Sequence, residues 1–310
     1  MGIIIPNLFI IGEPRSGTTS LFHYLKQHPE IYMCPVKEPH YFAKDMHIEH
    51  DMLHKNKRIA FPIRSEDDYM KLFKPNKNHK VIGEASTTYL WSRVAAREIH
   101  KFNPDAKIIA MFREPVSYLY SVYKFHLALN IEDITDFKKA LEAEDERRRG
   151  NKIPRYAPTL TDLYYSYHVK YTEHLKRYYE VFSENQIKVI IFDDFKNNTG
   201  EIYKDVLEFL GVDPTFKPDF KVYNPSFEIR FKSLSGIYIR FAHSGIHRRI
   251  LPEPVKKAVN KIIKKPKDGE KKSLDPELQL ELKRRFKPEV EKFSEFIGRN
   301  LVVEWGYDAV

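Results

Sequence analysis

The sequence IIGEPRSGTTSLFHYLKQHP, residues Ile10–Pro29, carries the strongest structural signal in the chain. An apolar run, Ile3–Ile11, ends at Gly12, a short loop reaches Gly17, and an amphipathic segment follows. This order is typical of a strand, a phosphate-binding loop and a helix. The spacing matches a P-loop except at one place, because Thr18 stands where the nucleotide-hydrolase motif has lysine. The loop therefore predicts an anion site that is not a standard nucleotide-hydrolase site.

The loop is rich in groups that can bind an anion. Its backbone amides and the helix N-terminus can cradle phosphate oxygens, and Thr18 and Thr19 can add hydroxyl donors. Arg15 is the fixed cation. We favour binding over a purely structural turn, because arginine, serine and two threonines crowd this one loop. An NTP-dependent kinase remains an alternative interpretation, since Asp193 follows an apolar run and could hold Mg²⁺.

Apolar runs alternate with helical patterns along the first two thirds of the chain. A single domain over residues 1–310 is predicted, α/β in class, with a doubly wound, mainly parallel central sheet flanked by helices. Thr161–Phe182 is predicted as one long helix, Glu144–Pro158 as a mobile surface loop, and about 212–310 as helix and loop only. The predicted strands are Ile3–Ile11, Val81–Gly83, Ile108–Phe112 and Ile187–Phe192.

Composition bounds the class of protein. The chain has 310 residues and a formal net charge of +9, which is consistent with an anionic ligand. Cys34 is the only cysteine and no basic leader is recognisable, so a reducing, cytoplasmic location is predicted. No apolar run approaches the roughly 20 residues of a membrane helix. We expect no integral membrane association, nucleic-acid partner or metal. The basic segment Pro254–Lys272 is predicted as a surface helix, with membrane-surface binding as the alternative.

A second anion site is predicted within KIIAMFREPVSYLYSVYKFH, residues Lys107–His126. The strand ends at Arg113, Pro115 is a standard helix start, and Ser121 lies six residues into that helix. Helical side chains lean toward the N-terminus, so Ser121 can point toward the strand end. Arginine and a hydroxyl suit a terminal phosphate. The alternative is that Arg113 forms a structural ion pair with Glu114 or Glu84.

Together the two sites resemble the sulfotransferases that use 3′-phosphoadenosine 5′-phosphosulfate (PAPS) as donor. The resemblance extends through HPEIYMCPVKEPHYF, VIGEASTTYL, IIFDDFKNNTGEIYKDVLEFLGV and FIGRNLVVEW, and thus covers most of the chain. It is strongest to bacterial-type enzymes and to the sulfotransferase domains of heparan-sulfate 3-O- and N-sulfotransferases. It implies a P-loop-like sulfotransferase fold, PAPS as sulfuryl donor, 3′-phosphoadenosine 5′-phosphate (PAP) as product, and no metal requirement.

The resemblance also implies roles for particular residues. Arg113 and Ser121 are expected to bind the 3′-phosphate, and Arg230 is expected to lie in a further loop over this phosphate. Glu38 is expected to be the general base. Two positions depart from the heparan enzymes, which carry lysine where this chain has Arg15 and where it has Ala85. The residues assigned to the 5′-phosphosulfate are Arg15, Ser16, Gly17, Thr18, Thr19 and Ser20. Arg15 is also predicted to be catalytic, since it supplies positive charge where negative charge develops on the departing phosphate.

The segment VKEPHYF carries the predicted base. Pro39 biases Glu38 toward an extended conformation, in which Glu38 and His40 face the same way. His40 could orient the base or the acceptor, or act as base itself; the alternative is a structural, satisfied histidine. Glu84 is predicted to position Arg15 or Arg113.

The sequence therefore predicts a soluble enzyme that transfers the sulfuryl group from PAPS to a hydroxyl or amine acceptor, with a carboxylate as general base. A small-molecule or glycan acceptor is expected, and the resemblance favours a glycan. The acceptor is expected to meet His47–Arg64, Glu144–Pro158 and the C-terminal third. The alternatives are an NTP-dependent P-loop kinase and a nucleotide-binding protein without transfer activity.

Overall fold

The computed structural model describes residues 5–55, 60–221, 223 and 274–310, together with the backbone of two short strands at 227–229 and 264–266. The chain divides into two compact units. The single domain predicted over residues 1–310 stays a prediction. The first unit comprises Met1–Asp45, Ile63–Arg113 and Tyr171–Tyr223, and the second comprises Met46–Pro62, Glu114–Lys170 and Asn224–Val310.

The first unit contains a five-stranded sheet in which every pair of neighbours is parallel. The spatial order is β2-β3-β1-β4-β5. The chain leaves β1 toward the β3 side and later crosses to β4, and sheets of this kind bind ligands at the carboxyl ends of the strands where the order reverses. The predicted α/β class with a parallel sheet is confirmed. The strands are β1 (Leu8–Ile10), β2 (Ile31–Met33), β3 (Val81–Ala85), β4 (Lys107–Phe112) and β5 (Ile187–Ile191).

Helices follow the strands and fill the connections between them. Two 3-10 turns, Thr161–Leu163 and Glu184–Gln186, accompany them. In chain order the helices are α1 (Thr18–Leu25), α2 (Lys44–Leu53), α3 (Glu66–Met70), α4 (Thr88–Trp91), α5 (Ala95–Phe102), α6 (Pro115–Ala128), α7 (Phe137–Glu142), α8 (Glu144–Arg148), α9 (Tyr165–His168), α10 (Tyr171–Tyr179), α11 (Phe192–Asn197), α12 (Thr199–Leu210), α13 (Pro276–Phe296) and α14 (Leu301–Glu304).

The sheet of the first unit is covered on both faces. Leu8 of β1 belongs to a buried cluster with Leu21 of α1 and Leu207 of α12. The next residue, Phe9, points to the opposite face and meets Phe42 edge-on, with 5.7 Å between the ring centroids. Successive strand residues alternate between faces, so this pattern shows apolar layers on both sides of the sheet.

Among the described residues β1 begins at Leu8, directly after Asn7, whereas the predicted strand is Ile3–Ile11. The side-chain amide of Asn7 donates to the carbonyl of Lys80 and accepts the N–H of Ile82, so a side chain replaces a regular ladder bond before β1 begins. The strand β2 was not predicted. It has only three residues, which are too few to show a hydrophobic period.

The predicted surface loop Glu144–Pro158 is wrong, because this part of the second unit contains α8 and a buried ion pair. Arg147 and Glu132 are both fully buried, and Arg147 Nη2 lies 2.6 Å from Glu132 Oε1. Tyr165 donates to the other oxygen of Glu132 at 3.0 Å. The charges in this segment are therefore partly interior, and their partner lies 15 residues earlier in the chain.

Two further predictions about the C-terminal half need correction. The predicted helix Thr161–Phe182 is interrupted at Tyr164, whose φ of −94° and ψ of 76° are not helical, and α9 and α10 follow as separate helices. The strands at 227–229 and 264–266 pair antiparallel, although only helix and loop are predicted after residue 212. The rest of the basic segment Pro254–Lys272 lies outside the described residues.

Candidate active site

The loop between β1 and α1 runs alongside β4 in the first unit. The N–H of Ile11 donates to Ile109 O at 2.9 Å, and the N–H of Glu13 donates to Met111 O at 2.8 Å. A Cβ on Gly12 would lie 2.0 Å from the backbone nitrogen of Met111. Glycine is therefore required here, because the loop backbone touches the neighbouring strand.

The N-terminus of α1 has no side-chain cap. Gly17 precedes the helix with a φ of 90°, and the first turn contains no acidic residue. A Cβ at Gly17 would also lie 2.9 Å from the ring of Phe195. The amides of the first turn can therefore donate to an anion, which the helix dipole favours at this end.

A buried hydroxyl adds a donor to this loop. Ser16 is fully buried, and its Oγ has no hydrogen-bond partner among the described residues. Thr18 is also buried, Thr19 is half-buried, and Ser20 Oγ accepts the N–H of Tyr223 at 3.3 Å. An unsatisfied buried hydroxyl is costly, so the Ser16 group fits a ligand that brings an acceptor oxygen.

The predicted loop cation and the strand-end cation lie together. Arg113 Nη1 donates to the carbonyl of Arg15 at 3.2 Å, and its guanidinium stacks 4.9 Å from the ring of Phe192. Burial lowers the pKa of Arg15, and the charge of Arg113 lowers it further. Two neighbouring positive charges repel each other, and an anion between or beside them relieves that repulsion.

The predicted base is a carboxylate at neutral pH. Burial alone would raise the pKa of Glu38, but the charges of Lys37 and His40 and the hydrogen bonds from Lys37 and Thr87 outweigh it, and the pKa lies below its usual value. Lys37 Nζ contacts Glu38 Oε1, and the N–H of Thr87 donates to Oε2 at 2.8 Å. His40 Nδ1 lies 3.8 Å from Oε2 and 2.8 Å from Thr88 Oγ1.

The extended conformation predicted for Glu38 is wrong. Its φ is 61° and that of His40 is 57°, so both residues have left-handed backbones. Arg15 does too, with a φ of 66°. Such conformations are costly for residues with a Cβ, and they cluster at sites where the surrounding structure enforces them. The structure thus places strained backbones at each of the three residues predicted to be catalytic.

Glu84 does not have the role predicted for it. It is fully buried at the end of β3, and burial raises its pKa to about 7 despite hydrogen bonds from three hydroxyl groups. These donors are Ser86, Tyr89 and Tyr69, at 2.7, 2.7 and 3.0 Å. None of its hydrogen bonds within the described chain goes to an arginine.

The other predicted contacts of the 3′-phosphate stay predictions. Ser121 lies on α6 of the second unit, so its pairing with Arg113 stays a prediction. Glu114 caps α6 by accepting the N–H groups of Val116 and Ser117. Arg230 lies outside the described residues.

Sequence reasoning missed the partners of Glu38. Lys37 and Thr87 contact its carboxylate, and Ser86 Oγ accepts the N–H of His40 at 3.0 Å. A signal was available, since three hydroxyl residues, Ser86–Thr88, directly follow a buried strand. Polar residues in that position reach the edge where ligands bind.

Comparison with known proteins identifies relatives of this chain. Residues 6–294 match the sulfotransferase domain model. Mouse carbohydrate sulfotransferase 15 is 28% identical over 258 residues, covering 68% of this chain and 44% of that protein. The chain thus spans less than half the length of this relative. A crystal structure of a sulfotransferase from Alicyclobacillus acidocaldarius is 29% identical, covers 98% of this chain and 99% of that one, and has a TM-score of 0.70.

The comparisons contradict the predicted cytoplasmic location. Besides the carbohydrate sulfotransferases, the membrane-associated sulfotransferase kil1 of Dictyostelium discoideum is 30% identical over 125 residues, covering 40% of this chain and 24% of that protein. The prediction relied on the lack of a recognisable basic leader and on Cys34, which is buried and forms no disulfide. A lone cysteine can form no intrachain disulfide in any compartment, so it does not report location.

Two properties of the described residues bear on membranes and metals. No described helix combines the length and apolar composition that crossing a bilayer requires. No group of three or more histidine, cysteine, aspartate or glutamate side chains in the described part of the chain could hold a metal ion. The prediction that no metal is needed stays a prediction.

Proposed function

Because the chain belongs to the sulfotransferase domain family, we propose that it transfers the sulfuryl group of PAPS to a hydroxyl or amine acceptor. One observation supports this most: Arg15 and Arg113 lie together beside Ser16, whose buried hydroxyl has no partner among the described residues. This arrangement suits a ligand with several anionic oxygens.

The loop is the proposed site of the 5′-phosphosulfate. Amides at the start of α1 and the hydroxyls of Ser16, Thr18, Thr19 and Ser20 donate to its oxygens, and Arg15 supplies the charge. Arg113 lies next to Arg15 and binds the 3′-phosphate, with Ser121 and Arg230 as further proposed contacts.

Transfer proceeds as an in-line displacement at sulfur. The acceptor oxygen or nitrogen attacks, a bond to sulfur forms, and the bond between sulfur and the bridging oxygen of the 5′-phosphate breaks with its electron pair. PAP leaves with the added negative charge, which Arg15 stabilises. Glu38 takes the proton from the acceptor, and Thr87 and Lys37 hold its carboxylate in place. His40 orients the base or the acceptor.

A glycan is the acceptor class that we propose first, and a small-molecule alcohol or amine second. The support is that relatives are carbohydrate and heparan-sulfate sulfotransferases by name. The kinase alternative is disfavoured by the family and by Thr18, which stands where the catalytic lysine of a P-loop would be.

A transfer assay with sulfur-labelled PAPS and a mixed acceptor panel tests the proposal. The panel contains desulfated glycans, simple sugars, phenols and aliphatic alcohols, and ATP with Mg²⁺ replaces PAPS in a parallel set. We expect label in a glycan fraction and no phosphate transfer. Phosphate transfer from ATP would favour a kinase, and PAPS binding without label in any acceptor would favour a binding protein.

A further inference from the structure

The segment that carries Glu38 and His40 is tied to the end of β3, to the residue after it and to α4 through alternate backbone amides. Residues 38, 40 and 42 each donate their backbone N–H in a hydrogen bond, and these three bonds fix the path of the segment. The bonds are Glu38 N–H to Ala85 O at 2.9 Å, His40 N–H to Ser86 Oγ at 3.0 Å, and Phe42 N–H to Tyr89 Oη at 3.3 Å.

The second and third of these bonds converge on one buried carboxylate. Ser86 Oγ donates to Glu84 Oε2 at 2.7 Å, and Tyr89 Oη donates to Glu84 Oε1 at 2.7 Å. Each hydroxyl has a single hydrogen, which it donates in its hydrogen bond to the Glu84 carboxylate. The lone pairs of both hydroxyls then face the amides of His40 and Phe42.

The segment needs this support because its backbone is strained. Glu38 and His40 have φ values of 61° and 57°, which side chains with a Cβ rarely adopt. Pro39 between them further restricts Glu38. Such conformations persist only where the surrounding structure enforces them, and the two hydroxyl bridges provide that enforcement.

We infer that Glu84 is a positioning residue that, through the hydroxyls of Ser86 and Tyr89, holds Glu38 and His40 in the geometry needed for transfer. The inference rests on the proposed function for its catalytic consequence, and on the hydrogen bonds alone for its structural one. Glu84 touches neither donor nor acceptor in this scheme.

The hydrogen bonds to the Glu84 carboxylate should also depend on pH. Burial raises the pKa of Glu84 to about 7, so its carboxyl gains a proton within the physiological range. A protonated carboxyl carries its own hydrogen, which competes with the hydroxyl hydrogens for the same oxygens. We therefore expect turnover to rise as pH increases through about 7. The titratable groups that face Glu84 are Cys34, Glu38, Tyr69 of α3, Tyr89 of α4 and Tyr178 of α10.

The decisive variants are Ser86→Ala, which removes one bridge, and Tyr69→Phe, its matched control. Tyr69 also donates to Glu84, at 3.0 Å, but no described hydrogen bond joins its hydroxyl to residues 38–42. Ser86→Ala should lower kcat by about 10- to 100-fold, the effect of a small misplacement of reacting groups, with the Kd for PAP unchanged. All variants are compared about two pH units above 7, where Glu84 stays ionised even after the hydrogen bond from Tyr69 is lost. There Ser86→Thr should restore kcat, and Tyr69→Phe should match the wild type.

A second readout does not depend on activity. Amide hydrogen exchange in the peptide that covers residues 36–43 should accelerate in Ser86→Ala and not in Tyr69→Phe, while the peptide over α1 stays protected. In Glu84→Gln the rise of kcat near pH 7 should disappear. Native kcat and native exchange in Ser86→Ala would overturn the inference. A wild-type protein that transfers nothing, with faster exchange in Ser86→Ala, would instead remove the proposed function and leave the positioning role intact.

Discussion

Glu38 illustrates how neighbours can override burial. Lys37, His40 and the amide of Thr87 together favour the charged carboxylate more strongly than burial opposes it. The group is therefore ready to accept a proton at neutral pH without first losing one. Its lowered pKa makes it a weaker base than an unperturbed glutamate, which leaves positioning as the main source of its effect.

Replacing Glu38 with glutamine tests this role. Glu38→Gln keeps size and hydrogen bonding but cannot take a proton, so turnover should fall by about 10²–10⁴-fold while PAP affinity stays nearly unchanged. His40→Ala should cost less, because its proposed role is orientation. Steady-state kinetics with calorimetric PAP binding measures both. Near-native turnover of Glu38→Gln with an inactive His40→Ala would make the histidine the base.

Arg113→Ala tests the proposed 3′-phosphate contact. The variant should bind PAPS and PAP much more weakly while its affinity for adenosine 5′-phosphosulfate changes little, because only the first two carry the 3′-phosphate. Each charged hydrogen bond lost is worth about 1.5–3 kcal/mol. Calorimetric titration of the three nucleotides measures the difference. If all three weaken equally, Arg113 supports the loop through its bond to the Arg15 carbonyl rather than binding the phosphate.

At the scale of elements, the segment Glu144–Pro158 is held by an interior charge pair. Arg147 contacts Glu132 and also donates to the carbonyls of Lys152 and Leu163. The segment is thus anchored at one fully buried guanidinium. Breaking a buried pair leaves an uncompensated charge in the interior, which is strongly destabilising.

Two arginines of this segment make a matched comparison. Arg147→Ala should lower the free energy of unfolding by about 3–5 kcal/mol. Arg149→Ala, which removes an exposed pair with Glu146, should change it by less than about 1 kcal/mol. Urea denaturation measures both. Equal effects would mean that Arg147 contributes no more than a surface charge.

The strands and helices differ in how well the sequence predicts them. Apolar runs long enough for a period predict β1, β3, β4 and β5, and Pro115 predicts the start of α6. The three-residue β2 and the interior pairing of Arg147 carry no local signal, since one is too short and the other depends on a distant partner. The role of Glu38 stays a prediction. Its left-handed φ was not predicted, because a local rule about Pro39 ignores the hydrogen bonds that Glu38 makes with Ala85 and Thr87.

For the whole molecule, two buried histidines set a dependence of stability on acid. Burial lowers the pKa of His126 to about 3 and that of His168 to about 4. Unfolded histidine has a pKa of about 6.5, so below that pH the unfolded chain binds protons that the folded chain does not. The contribution of these two histidines to the free energy of unfolding should therefore fall as pH decreases from about 6.5 toward 4. Burial raises the pKa of Glu84 to about 7 and that of Asp162 to about 6, so the folded chain binds these protons more tightly than the unfolded chain. Their contribution to the free energy of unfolding therefore rises as pH decreases from about 7 to about 4.5.

A histidine variant separates these contributions. His126→Leu removes one titrating group from the interior, and among the described residues Nδ1 of His126 has no hydrogen-bond partner to lose. Between pH 6 and pH 4 its unfolding free energy should fall less steeply than that of the wild type, by up to about 1.4 kcal/mol per pH unit. Urea denaturation at pH 7, 6, 5 and 4 measures the slopes. Parallel slopes would show that His126 is protonated in the folded state or does not control acid stability.

We propose that two arginines and an uncapped helix N-terminus form a site for a 3′-phosphorylated adenosine nucleotide. Isothermal titration of the wild-type protein with PAP, and separately with ATP and Mg²⁺, measures whether they do. We expect clear binding of PAP, with ATP binding more weakly and without turnover. Tighter binding of ATP, or its hydrolysis in the presence of Mg²⁺, would rule out this assignment of the site.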